Sequence, residues 1–149
     1  MEHPQSDLIP FEIRQVGIVV RDREKAMQQL RSLLGIGPFR LLNLDQPEAI
    51  VHGKRINCTA KLAFALAGPI EIELIELGEG ESIWLEFLRT KGEGVQHLGI
   101  FVSDLGKELS RFTEMDIGTL QSGEDKYVRF AYMDTEGIAG VVIELIQRK

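Results

Sequence analysis

Four polar side chains stand in largely apolar, β-type runs: Gln15 in IRQVGIVV, Glu73 in IEIELIEL, His97 in VQHLGIFV and Glu144 in VVIELIQ. An amide oxygen, an imidazole and two carboxylates are the donors that hold a divalent cation. A carboxylate set among Val142, Ile143, Leu145 and Ile146 is costly to bury without a positive partner, and no Arg or Lys stands at the matching register. One nitrogen among oxygens suits an octahedral or open site for Ni, Co, Mn, Mg or Zn rather than a closed structural zinc. Three or four protein ligands would leave positions for water or for two substrate oxygens.

Each residue also has a plainer explanation. A lone strand histidine is often a hydrogen-bonded core residue, and Gln15 could bond the sheet. Glu71, Glu73 and Glu76 could together form a solvated strand face. Glu144, with its apolar flanks, fits that account least well. Repetition favours a shared site. Gln15 falls on His97, Gly17 on Gly99, Ile18 on Ile100, Val20 on Val102 and Asp22 on Asp104, all at one offset (97 − 15 = 82). IELI occurs at 72–75 and again at 143–146. Each half thus opens with a strand bearing an amide or imidazole and closes with one bearing a carboxylate.

The elements that must position these residues follow from periodicity. FEIRQVGIVV alternates as a β-strand, with Val16, Ile18 and Val20 on one face and Gln15 and Gly17 on the other. Asp22 can cap a helix in which Ala26, Leu30, Leu33 and Leu34 recur at helical spacing, and Gly35 ends it. A strand begins near Pro38, a polar loop is expected over 46–55, and strands follow at 57–67 and 70–77 across the Gly68-Pro69 turn signal. A short helix, Ser82 to Leu88, forms a connector. The second half repeats the order: a strand at 95–102, a helix with Leu105, Leu109 and Phe112 on one side, then strands near 119–122, 128–134 and 140–147. The chain therefore divides into a lead-in (1–10), a first βαβββ module (11–78), a connector (79–94) and a second βαβββ module (95–149). The expected class is α+β: two tandem modules forming an open, cleft-enclosing, barrel-like sheet with helices outside. Neither half buries much alone, so they belong in one domain.

The totals exclude several function classes. At 149 residues, 44% hydrophobic and 27% charged, the chain suits one globular unit. A net charge of −6 lacks the basic footprint that nucleic acid requires. No apolar run approaches the ~18 residues of a membrane helix, and MEHPQSDLIPFE has no secretory pattern. The single Cys58 cannot form an internal disulfide, a pattern of the reducing cytoplasm.

QVGIVVRDREKAM, IELIEL with SIWLEFLRTKGEGVQHLGIFVSDL, and DTEGIAGVVIELIQ resemble the vicinal oxygen chelate superfamily, the glyoxalase I and methylmalonyl-CoA epimerase group. The resemblance spans about Phe11 to Gln147. It implies Gln15, Glu73, His97 and Glu144 as metal ligands, with Glu144, then Glu73, as catalytic base. It departs from epimerases at Gln15 and Glu73, where His and Gln are usual; the Gln, Glu, His, Glu set is similar to that of animal glyoxalase I. The implied activity is that of a metal-dependent isomerase, epimerase or lyase removing a proton alpha to a carbonyl through a metal-stabilised enolate. The implied partners are an acyl-CoA thioester, or a 2-oxo compound or glutathione adduct, and a second copy in a homodimer. Lys61, Tyr132 and Arg129 are further residues that could reach the cleft or an anionic substrate tail, though each reads better as a solvated strand residue. Two alternatives share the fold: a small-molecule binding or resistance protein, and an extradiol-type dioxygenase. The latter class wants two His and one carboxylate, whereas His3 and His52 lie in the lead-in and a loop.

Overall fold

The computed structural model describes residues 11–149; the lead-in 1–10 lies outside the described residues. The first half comprises β1 (Ile13–Val20), α1 (Arg23–Leu34), β2 (Arg40–Val51), β3 (Lys54–Ala67) and β4 (Ile70–Leu77). After α2 (Ile83–Lys91), the second comprises β5 (Gly94–Phe101), α3 (Leu105–Glu114), β6 (Thr119–Glu124), β7 (Val128–Met133) and β8 (Val142–Arg148). The helices begin where the repeat places an aspartate: Asp22 accepts from the Lys25 N–H and Asp104 from the Lys107 N–H, each at 3.0 Å. Gly35 ends α1 in the left-handed region that its missing Cβ permits (φ 68°).

The eight strands close into a ring in the order β1-β4-β3-β2-β6-β7-β8-β5. Two seams join the halves. The long one pairs β1 antiparallel with β5, and the short one pairs β2 with β6 through Ile50↔Ser122 and Val51↔Gln121. That second seam closes the barrel-like, cleft-enclosing sheet expected of the two modules into a full ring. Within each half the first strand runs parallel to the last, β1 with β4 and β5 with β8.

The polar loop expected over 46–55 is strand instead. β2 continues to Val51, β3 starts at Lys54, and only His52-Gly53 turn, at φ 48° and 77°, as a two-residue hairpin requires. Pro47 falls where the β2–β3 register shifts between Gln46 and Ala49, a place where the ladder can do without an N–H. The connector helix also runs further than Leu88, to Lys91, before Gly92 follows it.

Alternation sorts the side chains into layers. Inside the ring, Val19, Leu44, Leu62, Ile75, Trp84 and Tyr132 form one cluster. Outside it, Ile18 and Val20 pack with Ala26, Met27 and Leu30 of α1, and Ile100 and Val102 with Leu105, Leu109 and Phe112 of α3. The polar residues of β1 and β5 are therefore turned into the ring. Among the described residues no helix is long and apolar enough to cross a membrane.

Candidate metal centre

The β1–β5 seam sets the geometry of the site. Gln15 lies opposite Gly99, and Gly17 opposite His97, so each inward polar side chain faces a glycine of the other half. A Cβ on Gly17 would fall within the His97 ring, and one on Gly99 would come within 2.8 Å of the Gln15 Cβ. The register also skips one residue at Arg14 on β1 and at Gln96 on β5, equivalent positions of the repeat. These bulges bend the strands where the two side chains turn inward.

Glu73 of β4 and Glu144 of β8 complete the group. His97 Nε2 lies 3.0 Å from Gln15 Oε1, 2.9 Å from Glu144 Oε2 and 3.4 Å from Glu73 Oε2. All four residues are buried, His97 completely. Donor atoms of Glu73, His97 and Glu144 all fall within 4.8 Å of one another. Three oxygens thus crowd a single ring nitrogen whose one N–H can point at only one of them. Glu144 Oε2 is close to Nε2 yet off the N–H direction, and it has no hydrogen-bond partner. Two buried carboxylates and an orphaned oxygen aimed at one point are what a divalent cation would satisfy, so the residues fit such an ion.

The titration shifts point the same way. Burial alone would depress His97, but the attraction of the Glu144 and Glu73 carboxylates crowded against its ring outweighs it and holds the imidazole at about 9. Burial raises Glu73 above the ordinary carboxylate range, the His97 contact partly offsets this, and Glu144 and Asp125 add to it. Tyr132, raised by burial and by both glutamates, stays a neutral phenol against the His97 ring at 5.0 Å between centroids.

Two further residues orient the donors. Gln96 Oε1 lies 2.7 Å from His97 Nδ1, and an Nδ1–H donated there leaves Nε2 free to face the two carboxylates or a cation. The Gln15 amide donates Nε2–H to Glu71 Oε1 at 2.9 Å, which turns its own Oε1 toward His97. Sequence reasoning missed both. Glu71 reads as a surface charge, and only the bulge, invisible in a one-dimensional pattern, brings Gln96 to the same side as its neighbour. Of the other candidates, Tyr132 lines the cavity, whereas Lys61 is exposed and Arg129 pairs with Glu124 at 3.3 Å. His52 contacts Glu86 on the surface at 2.7 Å, and His3 lies outside the described residues.

Gln15, Glu73 and Glu144 line a cavity of about 330 Å³ inside the ring, with His97 buried behind them. Its walls are mostly apolar, with Leu42, Leu44, Leu62, Phe130 and Ile146, and its rim carries Arg40 and Arg148. The arrangement can hold a small molecule with two oxygens at the base and its body against hydrocarbon.

The profile of the Glyoxalase/Bleomycin resistance protein/Dioxygenase superfamily matches residues 14–132, and the chain belongs to that superfamily. No curated protein sequence matches the chain. Among solved structures, it is similar to a hypothetical protein from Bacillus halodurans C-125 (TM-score 0.70, 22% identity, covering 93% of this chain and 94% of that one). It is also similar to methylmalonyl-CoA epimerase from Mycobacterium tuberculosis (TM-score 0.66, 21% identity, 92% and 87% covered). A Streptomyces coelicolor methylmalonyl-CoA epimerase variant in complex with 2-nitronate-propionyl-CoA shares the fold at TM-score 0.73 and 18% identity, with 92% and 94% covered. At these identities the likeness is one of fold.

Proposed function

We propose that the protein is a metal-dependent isomerase, epimerase or lyase that removes a proton alpha to a carbonyl. Gln15, Glu73, His97 and Glu144 hold the cation. The convergence of four donor atoms from both halves beside one mostly apolar cavity carries this reading. When bound, a divalent cation supplies Lewis-acid stabilisation of negative charge developing on a carbonyl oxygen.

The remaining work falls to the chain itself. Glu144 is placed to take the proton from carbon, with Glu73, on the opposite half and facing the same point, as the second carboxylate. Removing a proton on one side and returning it on the other inverts a centre, and two carboxylates from two modules are placed to share those steps. Tyr132 and Trp84 close the base of the cavity against water. Support also comes from the epimerases among the structural neighbours, although Gln15 and Glu73 differ from the residues expected of an epimerase.

The test is elemental analysis of untagged protein purified without chelator, followed by solvent-deuterium exchange into methylmalonyl-CoA, the methylglyoxal-glutathione adduct and a free 2-oxo diacid. One equivalent of Ni, Co, Mn or Zn, absent from Glu144→Ala, together with deuterium at the alpha carbon of at least one of the three, is the expected result. Protein that neither carries nor takes up a divalent ion defeats the reading.

A further inference from the structure

Resting on the reading above, we propose that the substrate is a short acid with two oxygen-bearing ends: one chelated at the base, and a second anionic group clasped by Arg40 and Arg148. Both guanidiniums line the cavity that holds the four donors. Each is held over an aromatic ring, Arg40 over Phe64 at 4.6 Å and Arg148 over Phe101 at 4.3 Å. Neither has an ion-pair partner among the described residues. The other charges at the rim are engaged: Glu71 accepts from the Gln15 amide, Asp125 from the Tyr127 and Val128 N–H groups, and Lys149 pairs with Glu124 at 2.8 Å. Two stacked guanidiniums without a partner, beside apolar walls, are a fork for a carboxylate or phosphate.

Strand register gives the length of the ligand. Arg40 pairs with Phe64, and Phe64 with Glu73, so Arg40 stands two strands from Glu73 in one row, about 10 Å at the usual strand spacing. Glu144 pairs with Gly99, and the ring beneath Arg148 belongs to Phe101, two residues on, about 7 Å along the strand. Counted between backbone positions, Arg40 and the ring beneath Arg148 thus stand about 7–10 Å from the two glutamates, within reach of a second anionic group on a ligand bound at the donors. A short carbon chain lies against Leu42, Leu44 and Ile146. The phosphates of a coenzyme A thioester lie further from its carbonyl and would pass beyond the pair. The fork selects a free 2-oxo diacid or its phosphorylated counterpart over a thioester.

Isothermal calorimetry on the intact, metal-loaded protein tests this, with 2-oxoadipate, 2-oxohexanoate (the same head without the terminal charge), a 2-oxo acid ending in phosphate, and propionyl-CoA. The diacid is expected to bind about ten-fold or more tighter than the monoacid, the worth of one charge-assisted pair. The phosphate-ended probe decides which anion the fork prefers. In Arg40→Gln/Arg148→Gln that preference should fall to near unity while metal content is unchanged, and Arg148→Lys should restore only part of it. Equal binding of diacid and monoacid, a preference that survives the double variant, tighter binding of propionyl-CoA, or no binding of the diacid overturns the proposal. The same titration on chelator-treated protein separates the two readings. A diacid preference retained there, in a protein that takes up no metal, would sink the metal reading and leave the arginine fork standing.

Discussion

His97 is the residue on which the site turns, and its surroundings make its behaviour measurable. In the metal-free protein the imidazole holds its proton to about pH 9, because Glu144 and Glu73 outweigh the effect of burial. A metal entering at neutral pH must displace that proton, so affinity should rise with pH until about 9 and flatten above it. Calorimetry in buffers of different ionisation enthalpy should record release of about one proton per metal at pH 7. The second residue to change is Gln96, since its Oε1 fixes the coordinating nitrogen. Gln96→Leu should lower metal affinity by about 10–100-fold, read by competition with a chromophoric chelator. Cys58, 1% exposed and with its thiol raised first by burial and then by Asp45, should not react with a thiol reagent until the protein unfolds.

The elements matter through their register rather than their propensity. Gly17→Ala would drive a methyl group into the His97 ring, so the variant should lose metal and be destabilised by about 1–3 kcal/mol in a denaturant titration. Asp22→Ala and Asp104→Ala make the contrasting pair. Each removes a helix cap and should cost about 1 kcal/mol, with metal content untouched because α1 and α3 lie outside the ring. The helices and their caps were legible in the sequence, since Asp22 and Asp104 stand just ahead of apolar residues at helical spacing. The long β2–β3 hairpin was not. Pro47, Gly53 and the surrounding charges read as a loop, yet a register shift accommodates the proline and a two-residue turn uses the glycine.

At the scale of the whole molecule, the two seams differ. β1 and β5 pair over most of their lengths, whereas β2 and β6 share two residue pairs and the His52 N–H to Leu120 carbonyl bond at 2.9 Å. Amides of Ile50, Val51 and Gln121 should therefore exchange with solvent faster than those of Val16 to Val19, as hydrogen exchange would show. Metal loading should slow the β1–β5 amides most, because two of the four donors lie on those strands. The four polar residues all lie on β4, β1, β5 and β8, away from that short seam.

The sequence by itself determined the repeat, the class of fold and the four polar positions. Each of those is written in spacing: period two along strands, an offset of 82 between halves, and carboxylates where hydrocarbon was due. Tertiary structure decided what no spacing encodes. Bulges at Arg14 and Gln96, the glycine opposite each inward side chain, and the approach of Arg40 and Arg148 to one cavity all depend on which strand lies beside which. Pairing between residues far apart in the chain is set by burial summed over the whole ring, and no local run of residues carries that sum.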